Sequence, residues 1–205
     1  MSLIHGVILA GGKGERLGGA RKGDLRVGGC RLVERVAAAL GPTSSPLMVS
    51  VGSWRLDGMA DGLAVADLPA DMGGPLAGIA AAVASLQERG ISAGLMVSAA
   101  VDTPFLPPDF SAVMGQKLGG RDAAYAVWGV QFYPPNAIWR LEALQDLPDQ
   151  LHRGAAPRSV RALHEALGAR SVDWAERCAA NPFANVNTLA DLLALEAQVM
   201  HTAGK

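Results

Sequence analysis

A short apolar run, LIHGVILA (residues 3–10), stops at Gly11-Gly12 and opens into the loop GGKGERLGGARKGDL. The run is rich in β-branched residues and too short for a buried helix, so it reads as a strand covered on both faces. A strand of that kind belongs to a parallel sheet with helices on either side. Ligands of such sheets gather at the carboxyl ends of the strands, which is where this loop begins.

The rest of the chain keeps the same alternation. RLVERVAAAL (31–40) places Leu32, Val33, Val36 and Leu40 on one helical stripe, and Gly41-Pro42 ends it. PLMVSVG (46–52) reads as the next strand, and GLAVADLP (62–69) as a short strand ending in Asp67. GPLAGIAAAVASLQERG (74–90) is a helix opened by Gly-Pro, and AGLMVSAAVDTPFLP (93–107) is a strand ending in Asp102. Two acids therefore stand where strands finish, facing the same crevice as the glycine loop. DAAYAVWGVQFYPPNAIW (122–139) reads as two strands, the second ending at Pro134-Pro135. PRSVRALHEALG (157–168) is an amphipathic helix, and NVNTLADLLALEAQV (185–199) is a last helix with Asn187 or Thr188 as its N-cap.

Charge narrows the function. The whole chain carries a net charge of −1, which leaves no general footprint for nucleic acid or an anionic membrane. Residues 11–35 hold seven Lys and Arg against three acids, a local excess of +4. Cys30 and Cys178 have no metal-ligand or disulfide-framework spacing. The opening residues lack the basic leader of a signal peptide, and no apolar run is long enough to span a bilayer, so a cytoplasmic protein is expected.

Spacing excludes two phosphate-binding templates. Lys22 stands between Arg21 and Gly23, so there is no Gly-Lys-Ser/Thr of a P-loop. A GxGxxG beginning at Gly12 meets Leu17 where its third glycine belongs. What fits is a long loop whose backbone N–H groups surround phosphates while Arg16, as a fork, and Lys22, as a point charge, neutralise them. A solvated surface loop is the alternative.

The string LAGGKGERLGGARK resembles the LAGG-x-x-x-R-[ML]-G-G-x-x-K signature of nucleotidyltransferases. GGPLAGI (73–79), VDTPFLPPDF (101–110) and PFANVNTLADL (182–192) are similar, in the same order, to the molybdenum cofactor guanylyltransferases, the MobA family. The resemblance implies one α/β domain over residues 1–205, a Rossmann-like three-layer sandwich with a mostly parallel sheet. Its nucleotide-binding half would span roughly 1–110 and its acceptor-binding half roughly 111–200. It further implies transfer of GMP from GTP to molybdenum-bound molybdopterin with Mg²⁺, releasing pyrophosphate, with cofactor-delivery proteins or molybdoenzyme chaperones as partners.

By the same resemblance, Leu9, Ala10, Gly11 and Gly12 would line the guanine and phosphates, Lys22 would contact phosphate, Asp67 would help bind the nucleotide, and Asp102 would hold Mg²⁺. Arg16, Gly19, Gly74, Gly78, Asn185 and Asn187 match positions associated with the reacting groups and the pterin. Asp71 competes with Asp67. The chemistry agrees with the absence of a nucleophile motif: an ionised phosphate monoester needs no general base, only positioning and charge neutralisation. His5, His152, His164 and His201 are accordingly read as structural or surface residues.

Three positions depart from the family pattern. Arg21 stands where an acid often precedes the signature lysine, Gly52 where many relatives carry Asn, and Ser159 where the family often has the second Arg of Arg-Arg-Val. Arg158 or Arg161 is the expected substitute for that Arg. Two alternatives follow: a relative using CTP, or a non-catalytic protein that binds and delivers the cofactor.

Overall fold

The computed structural model of the chain describes residues 4–11, 21–52, 58–59, 62–66, 68 and 74–203. Seven of its strands form one sheet. They are β1 (Ile4–Leu9), β4 (Ser44–Ser50), β5 (Gly62–Val65), β6 (Leu95–Ala100), β7 (Ala123–Trp128), β8 (Gln131–Arg140) and β9 (Arg170–Asp173), in the order β5-β4-β1-β6-β8-β7-β9. The pairings β4–β5, β1–β4, β1–β6 and β7–β9 are parallel, and only β8 runs against its neighbours β6 and β7. The sheet is thus mostly parallel, as expected from the sequence.

Alternation along β1 explains the layers. Ile8 and Ala10 face one core with helices α1 (Leu32–Leu40) and α3 (Phe110–Leu118); Val7 and Leu9 face the other with α2 (Pro75–Glu88), α4 (Leu147–His152) and α5 (Val160–Ala166). Side chains two apart in a strand share a face, so a strand apolar at every position needs helices on both sides. A final helix, α6 (Leu189–Ala203), contributes Leu195 to the α1/α3 core.

Helix α2 comes closest to the sheet. A Cβ on Gly78 would stand 2.5 Å from Ser50 Oγ and 3.0 Å from Leu9 Cδ2, so the glycine lets α2 lie on the ends of β1 and β4. At the start of α2, Gly74 has φ +89° and Pro75 takes the first turn.

The second strand of the 122–139 pair does not end at Pro134-Pro135, as its sequence suggested. It continues to Arg140 through an irregularity: Tyr125 pairs with Ala137, but the next residue, Ala126, pairs with Tyr133. Pro134, Pro135 and Asn136 are the extra residues, and a bulge accommodates prolines because it asks for no ladder N–H. The carbonyls are still used. Ser98 Oγ donates to Pro135 O at 2.7 Å and itself accepts from Trp139 Nε1 at 2.9 Å.

A hairpin of β2 (Arg26–Val27) and β3 (Cys30–Arg31) turns on Gly28 and Gly29, both at positive φ, the pattern of a type I′ turn. Gly28 N donates to Glu196 Oε2 on α6 at 2.7 Å. Among the described residues, no helix is long and apolar enough to cross a membrane.

Candidate active site

At the carboxyl ends of β1 and β6 the ladder carries on into the loops. Val101 N donates to Leu9 O at 3.1 Å and Ala10 N to Ser50 O at 2.9 Å, so three strand ends are locked side by side. The chain then turns sharply: Thr103 N and Thr103 Oγ1 both donate to Ala100 O. That turn leaves Asp102 at the sheet's edge. Val186 N donates to Asp102 O at 3.0 Å, drawing the distant FANVNT segment onto the same spot.

Lys22 stands at the meeting point, in a one-turn 3-10 helix. Its Nζ donates to Asp102 Oδ2 at 2.8 Å and to Asn187 Oδ1 at 2.7 Å. Residues 80 and 165 positions apart are thereby joined around one ammonium group. The other described cations of residues 11–35 for which partners are defined hold the local fold: Arg31 pairs with Glu34 and Asp24, Arg35 Nε donates to Val27 O, and Arg26 to Gly29 O. Arg26, Arg31 and Arg35 are therefore scaffolding, whereas Lys22 reaches the site.

A cavity of about 270 Å³ opens here, lined by Leu9, Ala10, Gly11, Lys22, Asp102 and Asn185 together with Pro75 and residues 132–136. Asn187 is not its own helix's cap. Thr188 Oγ1 accepts from Asp191 N at 3.1 Å, while Asp191 Oδ2 accepts from Asn187 N and Thr188 N. Those two backbone donors hold the Asp191 carboxyl below the usual range. With Thr188 as N-cap, the Asn187 side chain is left for Lys22.

Leu9, Ala10, Gly11, Lys22, Asp102, Asn185 and Asn187 thus come together. Gly78 lies behind them against Leu9 and Ser50, and Gly74 is exposed at the head of α2. Gly12, Arg16, Gly19, Asp67 and Asp71 lie outside the described residues.

Two departures have structural reasons. Gly52 has φ +60°, a conformation that Gly and Asn adopt more readily than other residues, so either serves the turn after β4. Ser159 caps α5, its Oγ accepting from Ala162 N at 3.1 Å. Arg158 and Arg161 border a second cavity of about 280 Å³ that shares Pro75, Pro134 and Pro135 with the first. Arg161 also pairs with Glu165 and lies 5.4 Å from the centre of the Phe132 ring.

Could these residues hold Mg²⁺? Among the described residues no three His, Cys, Asp or Glu side chains gather. Mg²⁺ bound with a nucleotide needs only one or two carboxylates, the remaining ligands being phosphate oxygens and water. Asp102 fits that demand: it lines the cavity, and its Oδ1 has no partner among the described residues.

Sequence reading missed Asn136, Phe132 and Tyr133 on the cavity wall. A polar residue directly after Pro-Pro inside an apolar strand was the available signal.

Residues 6–171 match the family model of the MobA-like NTP transferase domain. A molybdenum cofactor guanylyltransferase from Nitrobacter hamburgensis is 32% identical, covering 94% of this chain and 92% of its own length. Among solved structures, molybdopterin-guanine dinucleotide biosynthesis protein A from Archaeoglobus fulgidus has a TM-score of 0.70 at 23% identity, covering 96% of this chain and 99% of that one. The 2-C-methyl-D-erythritol 4-phosphate cytidylyltransferase of Thermus thermophilus has a TM-score of 0.68 at 16% identity, covering 95% and 98%, so the fold by itself does not select a base. With the family model spanning most of the chain and a curated relative matching end to end, the chain belongs to the MobA-like NTP transferase domain family.

Proposed function

We propose that the protein transfers GMP from GTP to the terminal phosphate of molybdenum-bound molybdopterin. A phosphate oxygen of the acceptor bonds to the α-phosphorus of GTP, the bond from that phosphorus to the bridging oxygen of the β-phosphate breaks, and pyrophosphate leaves with the electron pair. The observation that carries this reading is Lys22 held between Asp102 and Asn187 at the mouth of one cavity.

Both substrates are anions, so the protein's task is to bring them into line and damp their repulsion. The first residues of the glycine loop, Leu9 to Gly12, would cradle the nucleotide, with Arg16, Gly19 and Asp67 completing that side. Lys22 supplies positive charge at the reacting phosphates. Asp102 would hold Mg²⁺, which when bound supplies further charge neutralisation at phosphate oxygens. Asn185 and Asn187 lie where an acceptor phosphate would approach, with Gly74 and Gly78 shaping the neighbouring α2. With this reading go a cytoplasmic site of action and hand-over of the product to cofactor-delivery proteins or molybdoenzyme chaperones.

Pyrophosphate release from GTP, Mg²⁺ and molybdenum-bound molybdopterin tests the reading. Lys22→Ala and Asp102→Ala are each expected to lower turnover by about a thousandfold. Full turnover in the Asp102 variant removes the metal assignment. Faster turnover with CTP than with GTP would replace guanylyl transfer by cytidylyl transfer, and no turnover by the unaltered protein favours a binding and delivery role.

A further inference from the structure

Asn136 is 1% exposed, yet it lines the same cavity as Lys22 and Asp102. Its side chain is half used. Oδ1 accepts from Ala100 N at 2.8 Å, just beyond Ser98–Ala137, the last pair of the β6–β8 ladder. The bond from Ala100 N fixes the orientation of the amide, because the reverse orientation would set an NH₂ group against a backbone N–H. Nδ2 is buried and has no partner among the described residues.

An unpaired buried donor destabilises a fold, and native chains keep few of them. Ser44, His164 and Trp174 also have such atoms, but none of these residues lines this cavity. The amide's use as a brace for Ala100 accounts for Oδ1 alone. The two Nδ2 hydrogens remain for something the cavity takes in.

The sheet order indicates which substrate that is. Asp102 follows β6; β1, with Ala10 and Gly11 at its end, lies on one side of β6, and β8 with Asn136 lies on the other. The nucleotide belongs to the β1 side. Asn136 is therefore across Asp102 from it, on the same cavity wall as residues 132–135 and close to the reacting end, since the Ala100 it holds is two residues before Asp102.

We propose that Asn136 is a substrate-binding residue whose Nδ2 donates to a phosphate oxygen of the acceptor, a phosphate monoester. The inference rests on the guanylyl-transfer reading above. A neutral amide donor suits the position: it adds a hydrogen bond to the anion without a further charge to compete with Lys22 for Asp102.

Two variants test it. Asn136→Asp keeps an oxygen for Ala100 N and removes both Nδ2 hydrogens; Asn136→Leu keeps the size and removes all polarity. Steady-state assays of pyrophosphate release are run with varied GTP and with varied molybdenum-bound molybdopterin, alongside melting temperatures. The KM for molybdopterin is expected to rise about tenfold to a hundredfold in both variants, with the KM for GTP unchanged. Asn136→Asp should melt lower because it buries a carboxylate, so both variants are assayed well below their midpoints. Equal weakening of both substrates marks only the repulsion of a new carboxylate, and unchanged KM values mark Asn136 as a strand brace; either overturns the proposal. Turnover of the unaltered protein in the same assay reports separately on guanylyl transfer.

Discussion

His164 shows how burial can decide a residue's chemistry. Its ring is 3% exposed, stacks on Trp139 at 4.3 Å between centroids, and places Nε2 3.0 Å from Pro134 O. Burial holds the imidazole down to about 4, against the opposing effect of its bond to that carbonyl. The neutral ring is thus the folded form at neutral pH, with Nε2–H the donor. Above the unfolded value of about 6.5 neither state binds the proton, so stability is not reduced by this residue. As pH falls from there towards 4, the unfolded chain takes up a proton that the folded one refuses. Stability should fall by about 3 kcal/mol across that window and level off below it. His164→Phe keeps a ring against Trp139 and removes the titration, so its urea-unfolding free energy should vary less between pH 7 and pH 4 by that amount. Parallel curves for the two proteins would mean His164 does not control the slope. Reading the histidines as structural or surface residues agrees with this burial of His164.

At the scale of elements, end signals decided what could be read in advance. Gly41-Pro42 after α1 and Gly74-Pro75 before α2 mark helix boundaries by the conformations only those residues favour, and the helices lie where they indicate. Pro134-Pro135 misled because a bulge, set by the register of β7 against β8, decides whether prolines interrupt a strand. Register is a long-range property, absent from the local string. The head of α6 was legible only as a choice between Asn187 and Thr188, and the choice matters for the site. Thr188 caps the helix, Asp191 takes the N–H groups of residues 187 and 188, and Asn187 turns to Lys22. Asp191→Ala removes both backbone bonds and leaves the residues around Lys22 unchanged in kind. Loss of this cap should lower stability, while the looser Asn187 raises the KM for molybdopterin more than that for GTP. Chemical denaturation and steady-state kinetics measure the two effects. An unaltered KM for both substrates would show that the cap does not hold Asn187 for the acceptor.

Over the whole molecule, the glycine loop with Lys22, the strand-end acid and the FANVNT segment were each visible in the sequence, but that the Lys22 ammonium group joins the last two was not. Lys22 reaches Asp102 and Asn187 because the sheet places β1 beside β6 and because Val186 N is tied to Asp102 O. Side-chain geometry of that kind follows from the closed fold and from nothing local. The same closure bears on how the first half of the chain, up to about residue 110, and the second half unfold. β6, from the first half, pairs with β8 from the second, and one core packs α1 of the first half with Trp174, Phe183 and Leu195 of the second. Separation at about residue 110 would expose both the unpaired edge of β6 and that core, so neither half has a complete hydrophobic interior of its own. Unfolding is therefore expected as one cooperative transition. Three of the four tryptophans, Trp128, Trp139 and Trp174, belong to the second half and Trp54 to the first, so fluorescence reports mainly on the second, whereas dichroism also reports helices α1 and α2 of the first. Tryptophan fluorescence and far-ultraviolet circular dichroism should then give the same midpoint in urea, and the calorimetric enthalpy should equal the van't Hoff enthalpy. A fluorescence midpoint displaced from the dichroism midpoint would show that the second half unfolds separately, despite the sheet that runs through both.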